Sequence, residues 1–436
     1  MGYVRAMTTA GMPRKSRKKG RSKAAAAKTP QAESPEQTHA TGPSMQRPSD
    51  AAAAQNGAAD PMEMLQAMMA MVALSSGDTT VQISHDPDLV LADIRIPDGT
   101  YFLYMPPGKR DMVFVDGLSV LCEVASWDVW TKPAPPTPRK PAYRIVEVPG
   151  KGMGMVATRS IRAGELIVEE RPAFVIAQQV TCAADQAANA TLHRNAVDGL
   201  SAQSRAAITA LKNAFPADVP PLRGTLTTNY LQLDLTPQPV LLDAHLGCFP
   251  VLSRANHACT PNANYFFAFG TFTGQFWAPR DIAEGEEVAI SYCQHGEPRA
   301  VRKAHVREHY FFECACAACS LVGDEQRASD RRRKTVSDML ERLKTVGGTP
   351  HPSLKDVALR ELYEVAGMAE EEGLPLHKAQ ILFYGSSVLL MRRAEARVVM
   401  QLLEEARNGY RLAEGEKSFN VHNTTQVLDM LRIIVR

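Results

Sequence analysis

Ser253-Arg254-Ala255-Asn256-His257-Ala258-Cys259-Thr260-Pro261-Asn262 has neither the 3.6-residue period of a helix nor the two-residue period of a strand. It crowds two asparagines, an imidazole and a thiol into a few positions and ends in a proline turn. A lone histidine is ordinarily a satisfied core residue, but the neighbours here change that reading. An asparagine amide both donates and accepts, which suits a ligand carrying an amine and a purine edge.

Three further motifs lie around this segment. Upstream, Gly150-Lys151-Gly152-Met153-Gly154 follows the strand-like Tyr143–Val148. Its alternating glycines allow a sharp turn and a close backbone approach. The ordinary reading is a hairpin, because a dinucleotide fingerprint would need another glycine and a following helix. Downstream, Ile282-Ala283-Glu284-Gly285-Glu286-Glu287-Val288-Ala289-Ile290-Ser291-Tyr292 reads as a turn feeding a strand that ends in a tyrosine. Tyr310-Phe311-Phe312-Glu313-Cys314-Ala315-Cys316-Ala317-Ala318-Cys319 then sets three of the eight cysteines within six positions. Gaps this short let several thiolates face one tetrahedral metal. A fourth ligand must come from elsewhere, with Cys259, Cys293, Cys248 and His295 as candidates.

Length and composition bound the rest. At roughly 150 residues per domain, 436 residues suggest two or three folded units. Lys+Arg 49 against Asp+Glu 47 excludes a strong whole-chain field, so any charge-driven partner must be met locally. No run approaches the ~20 apolar residues of a bilayer span, and Met1–Ala10 lacks the apolar core of a signal peptide. No membrane contact is expected.

Residues 1–60 read as a disordered basic tail. Arg14, Lys15, Arg17, Lys18, Lys19, Arg21 and Lys23 precede the first acidic residue, Glu33. Such a block reads as a nuclear address or a nucleic-acid contact, with a solvated tail as the plain reading. Residues 61–130 read as a small β-rich unit of unknown role behind a Met-rich helix at 61–74. Its expected strands are Val81–Ile83, Leu89–Ile96, Tyr101–Met105, Met112–Val115 and Leu121–Trp130, punctuated by Pro-Gly turns. Trp127 and Trp130 read as core. A Pro-rich linker follows at 131–142. Residues 178–225 read as a helical insertion, with one helix at Leu200–Asn213. A helical domain is expected over 329–436, with helices at 335–346, 353–372, 377–393, 395–413 and 423–434. These resemble tetratricopeptide-type pairs in length, but without a fixed period of 34 residues.

The ordered set of a Gly-x-Gly strand pair, Asn-His-x-Cys-x-Pro-Asn, Gly-Glu-Glu with Ser-Tyr, and Cys-x-Cys-x-x-Cys resembles SET-domain protein lysine methyltransferases. The likeness covers about 143–320 and is similar to the SET-and-MYND branch and its fungal relatives. Thr228-Asn229-Tyr230 before Gly247–Pro250 also fits that branch. Ala258 stands where a serine is usual, and no MYND finger is visible, since Cys182 is the single cysteine of 178–225 where several Cys and His would be needed.

The resemblance implies an α+β fold. Small sheets would carry a threaded C-terminal segment and a zinc-bound cysteine tail at 310–320, followed by the helical domain. It also implies an S-adenosylmethionine-dependent methyltransferase acting on a histone or non-histone lysine, in nucleus or cytoplasm. Lys151, Gly152, Met153, Asn229, Ser253, Asn256 and His257 would hold the cofactor, with Phe312 stacked on its adenine. Tyr292 would sit beside the methyl group and Tyr310 would line the lysine channel. Cys259, Cys314, Cys316 and Cys319 would hold structural zinc. The competing reading is an inactive SET fold kept as an interaction scaffold.

Overall fold

The structure is a computed structural model that describes residues 100–105, 109–136, 138, 140–181, 186–235, 244–343, 357–391 and 394–434. The basic tail, the helix expected at 61–74, the strands expected at Val81–Ile83 and Leu89–Ile96, and Cys182 lie outside the described residues.

Among the described residues, three sheets carry the β part. Strands β1 (Thr100–Met105), β2 (Met112–Gly117), β6 (Phe174–Ala177), β8 (His245–Cys248) and β7 (Tyr230–Leu233) form one, in that spatial order. Strands β3 (Tyr143–Val148), β4 (Gly152–Ala157), β12 (Glu287–Ile290) and β9 (Asn256–His257) form the second. The third is β10 (Asn264–Ala268), β11 (Thr273–Trp277) and β5 (Leu166–Glu170).

Side-chain alternation explains how the first sheet is buried on both faces. Val113, Val115, Phe174 and Ile176 pack with Leu192, Val197, Ile208 and Leu226 on one side. Phe114, Val175, Leu231 and Leu233 pack into the main core on the other. The helices on the first side come from the insertion. Helix α1 (Leu118–Ser126) follows β2, whereas α2 (Gln186–Asp198), α3 (Ala202–Thr209) and α4 (Pro221–Asn229) make up the insertion. Ser201 caps α3 by accepting from Ser204 N at 3.2 Å.

Two expectations are corrected here. The described part of 61–130 is no separate unit, because β1 pairs with β2 and β2 runs parallel to β6. Turn signals mark strands but cannot name a partner some sixty residues away. Leu121–Trp130 is not a strand either: it forms most of α1 and then a 3-10 turn at Asp128–Thr131. Leu121 and Val124, three apart, share one fully buried helical face. Trp127 and Trp130 stack 6.3 Å apart in and against the main core. Residues 132–136 have no regular secondary structure.

Helix α5 (Arg299–Tyr310) leads into the cysteine tail. The helical region then begins at Gly323, earlier than expected, with α6 (Gly323–Leu343), α7 (Leu359–Glu371), α8 (Pro375–Met391), α9 (Ala396–Glu414) and α10 (Phe419–Ile434). Val399, Leu402, Leu403, Ala406 and Tyr410 make the buried stripe of α9 at helical spacing. Gly373 ends α7 at φ 65°, and Pro375 opens α8, where its missing N–H is no loss. Asn264 Nδ2 of β10 donates to Ala413 O of α9 at 2.8 Å, joining the two parts.

Candidate active site and cysteine centre

The segment 253–262 is held at its entrance by one carboxylate. Glu170, at the end of β5, accepts from the backbone N–H of Val251 at 2.9 Å and of Leu252 at 3.0 Å. Burial pushes its carboxyl up to about 7, against the pull of those two donors. Ser253 then donates to Asn229 O at 3.0 Å. Asn229 Nδ2 donates to Lys212 O and Thr225 O, each at 2.7 Å, so its amide hydrogens are spent inside the insertion.

Next the segment runs beside β12. Strand β9 pairs parallel with β12, Ala289 N donates to Asn262 Oδ1 at 2.8 Å, and Asn262 Nδ2 donates to Glu287 O at 2.9 Å. This register delivers Tyr292 onto His257. The Tyr292 N–H donates to His257 Nδ1 at 2.9 Å, and the Tyr292 hydroxyl donates to Ala255 O at 2.6 Å. An accepting Nδ1 places the imidazole proton on Nε2. Nε2 therefore donates to Cys259 Sγ, 3.2 Å away. One ring thus ties the strand-end tyrosine to a thiol. Tyr310 stands 4.8 Å from Tyr292 and Phe312 stands 6.0 Å from His257, ring centre to ring centre.

The glycine motif forms the β3–β4 hairpin, with Gly150 at φ 73° and Gly152 at φ 75°. The hairpin reading holds, and the close approach that the structure shows is to Asn256. A Cβ on Gly154 would lie 2.6 Å from Asn256 Nδ2, so only glycine lets that amide in. Lys151 Nζ meets Glu287 Oε2 at 2.6 Å, and Asn256 Nδ2 donates to Glu287 Oε1 at 2.8 Å. Glu287 thereby gathers the hairpin tip and the asparagine at one place.

Cys259, Cys314, Cys316 and Cys319 bring their sulfurs within 4.8 Å of one another. Cys259 Sγ lies 4.0 Å from Cys314 Sγ and 3.5 Å from Cys319 Sγ. A tetrahedron with ~2.3 Å metal–sulfur bonds has edges of about 3.8 Å, so the spacing suits a metal ion. Hydrogen bonding with Cys259 pushes the Cys314 and Cys319 thiols up and holds Cys316 down. The Cys259 N–H also points to Cys316 Sγ at 3.4 Å. Of the other candidates for fourth ligand, Cys293 groups with His257 and Cys259 only. Cys248 sits in the core across the first sheet, and His295 packs on His377.

The expected site residues therefore divide. Asn256, His257, Tyr292, Tyr310, Phe312, Lys151 and the four cysteines come together. Gly152 opens β4 beside the hairpin turn, and Met153 is 44% exposed next to it. The side chains of Asn229, Ser253 and His257, expected on the cofactor, are engaged within the fold as supports. Glu170 and Glu287 were missed. Glu287 lay inside the Gly-Glu-Glu motif, where its position before a strand was the available signal. Glu170 offered none, since it meets Val251 and Leu252 only through the fold.

Comparison with known proteins adds what the chain is similar to. The SET domain profile matches residues 152–293. Histone-lysine N-methyltransferase set5 of Schizosaccharomyces pombe is 29% identical over 196 residues, covering 45% of this chain and 56% of that protein. Protein-lysine N-trimethyltransferase SMYD5 of Homo sapiens is 40% identical over 82 residues, covering 18% of this chain and 20% of that protein. The chain thus spans about half the length of the first relative and a fifth of the second. A solved SET domain of LSMT, bound to lysine and AdoHcy, aligns with 68% of this chain and 88% of that chain, at 12% identity and TM-score 0.26. No described helix is long and apolar enough to cross a membrane. The motif order, the small sheets and the cysteine tail accompany that match, and the SET domain lies at residues 152–293.

Proposed function

We propose that this chain is an S-adenosylmethionine-dependent protein lysine N-methyltransferase that acts on a histone or another protein, with a structural zinc in the four-cysteine centre. The observation that carries the proposal is the junction of Tyr292, His257 and Cys259, where two consecutive hydrogen bonds join the strand-end tyrosine to the cysteine cluster. That junction acts through the Tyr292 backbone; the hydroxyl is fixed separately on Ala255 O, and a scaffold fold has no need to fix a tyrosine oxygen.

S-adenosylmethionine supplies an electrophilic methyl group on a positively charged sulfur. Its amino-acid end is zwitterionic, and Lys151 with Glu287 offers one charge of each sign beside the Asn256 amide. Phe312, next to His257, offers an aromatic face to the adenine. Zinc would be held by Cys259, Cys314, Cys316 and Cys319, with His257 Nε2 donating to the Cys259 sulfur. Donors of this kind fix the orientation of metal ligands.

Tyr292 has committed its hydroxyl proton to Ala255 O. What its oxygen offers a substrate is acceptor capacity, suited to orienting an amine N–H. The lysine amine has an ordinary pKa of about 10.4 and reacts only when neutral. The aromatic walls of Tyr292 and Tyr310, 7% and 4% exposed, exclude water and disfavour the ammonium form.

Calorimetric titration with S-adenosylmethionine, followed by mass spectrometry of lysates incubated with labelled cofactor, tests the reading. Binding together with labelled Nε-methyl-lysine is expected. Zinc-loaded, folded protein that binds no cofactor would leave the scaffold reading standing instead.

A further inference from the structure

We propose that Arg333, on the helical region, is a positioning residue that sets the Cys259 turn and so tunes the cysteine centre. The inference rests on the zinc assignment above.

Arg333 is completely buried, in the middle of the run Arg331-Arg332-Arg333-Lys334 on α6. Its Nη1 donates to His295 O at 2.8 Å and Cys259 O at 3.3 Å. Its Nη2 donates to Thr260 Oγ1 at 3.2 Å and Glu372 O at 3.3 Å, and its Nε donates to Glu372 Oε2 at 2.8 Å. One guanidinium thus grips the carbonyl of a metal-site cysteine, its neighbouring hydroxyl and the chain three residues beyond Tyr292. Only the planar fork of arginine can serve so many acceptors at once.

The grip is itself anchored. Glu372, at the end of α7, is 6% exposed and also accepts from Ser329 Oγ at 2.6 Å and Arg332 Nε at 2.7 Å. A buried carboxylate with this many donors is held as a fixed counter-charge. A second contact presses on the same turn: a Cβ at Gly373 would come within 2.4 Å of Thr260 Cγ2. The α7 terminus therefore bears on residues 259–260 through a salt-bridged arginine and a glycine, while the SET core supplies the other side.

Groups just outside a metal's ligands change its affinity by about 10–100-fold when removed. Full-length protein is stripped, reloaded with Co(II) for its absorption spectrum, and separately titrated with zinc against a chromophoric chelator. Arg333→Met is expected to stay folded, lose about 10–100-fold in zinc affinity and shift the Co(II) bands. Arg333→Lys keeps the charge without the fork and should recover only part of the loss. A folded Arg333→Met with wild-type zinc affinity and Co(II) spectrum overturns the proposal, leaving Arg333 a mere fold brace.

Should Arg333→Met fail to fold, Glu372→Gln decides, because it loosens the arginine without deleting it. A shifted spectrum supports the proposal and an unchanged one refutes it. These readouts do not use methyl transfer, so an inactive wild-type protein would sink the methyltransferase reading and leave this one intact.

Discussion

Residues 253–262 and the helices of 323–434 are built by opposite means. The first is positioned by hydrogen bonds to Asn229, Glu287 and β12, behind an entrance at 251–252 held by Glu170, with no periodic apolar pattern. The second is positioned by an apolar core of its own, drawn from α6 to α10. Polar bonds are directional and fix single atoms, whereas burial is non-directional and fixes whole faces. Chemistry therefore gathers in the first region and bracing in the second, and Arg333 is where they meet.

The largest expected effect falls on the polar region. Cys259→Ser removes one of four sulfurs, and should forfeit several of the ~10–16 kcal/mol that structural zinc contributes to folding. Metal analysis should give one zinc per chain in wild type and less in the variant, with a clear loss of thermal stability. Wild-type protein free of zinc when freshly prepared, reduced and folded would break the comparison at its root.

The helical region should respond differently. Leu403 is fully buried in its core, so Leu403→Ala should cost ~2–5 kcal/mol through the cavity it leaves. Zinc content should stay at the wild-type value. A variant that unfolds the helices and also sheds zinc at once would show that the two regions are one cooperative unit.

How far the sequence could be read follows from the same contrast. The cysteine tail and the Asn-His-x-Cys motif were legible because dense polar residues without period have few uses. Helix 396–414 was legible from its period, and helix 375–391 from the Gly-Leu-Pro stop and start before it. Sheet partners were not: nothing in Met112–Gly117 announces Phe174–Ala177 as its neighbour. Leu121–Trp130 misled because branched and aromatic residues suggested a strand, while the three-residue spacing of Leu121 and Val124 was the true signal. Arg333 was hidden in a run that reads as a solvated helix face. The fourth ligand could be narrowed by chemistry to three cysteines and a histidine, and the fold brings Cys259 to the other three sulfurs.

A pH titration compares the regions through one carboxyl each. Burial pushes Glu170 and Glu414 up to about 7 from 4.5. A carboxyl with a raised folded pKa contributes stability that is fully present below pH 4.5 and lost as pH rises through about 7. Each is worth roughly 3 kcal/mol across that window. Denaturant titrations at pH 5 and pH 8 should show Glu170→Gln losing less stability between the two than wild type, and Glu414→Gln likewise. Equal losses in variant and wild type would mean these carboxyls are ionised throughout.

A smaller effect is expected at the cofactor. Asn256→Ala leaves the Glu287 carboxylate short of a donor and removes an amide from the proposed binding face. Calorimetry should show S-adenosylmethionine binding weakened by ~1–3 kcal/mol. Unchanged affinity would move the binding face away from Asn256.

The most direct test is single-turnover methyl transfer by Tyr292→Phe on a verified lysine substrate, with cofactor affinity measured alongside. The ring stays and only the hydroxyl that donates to Ala255 O is lost, so S-adenosylmethionine should bind as it does to wild type while the rate of transfer collapses. Full single-turnover rate in Tyr292→Phe would contradict the assignment and return the tyrosine to the core as a strand-end aromatic.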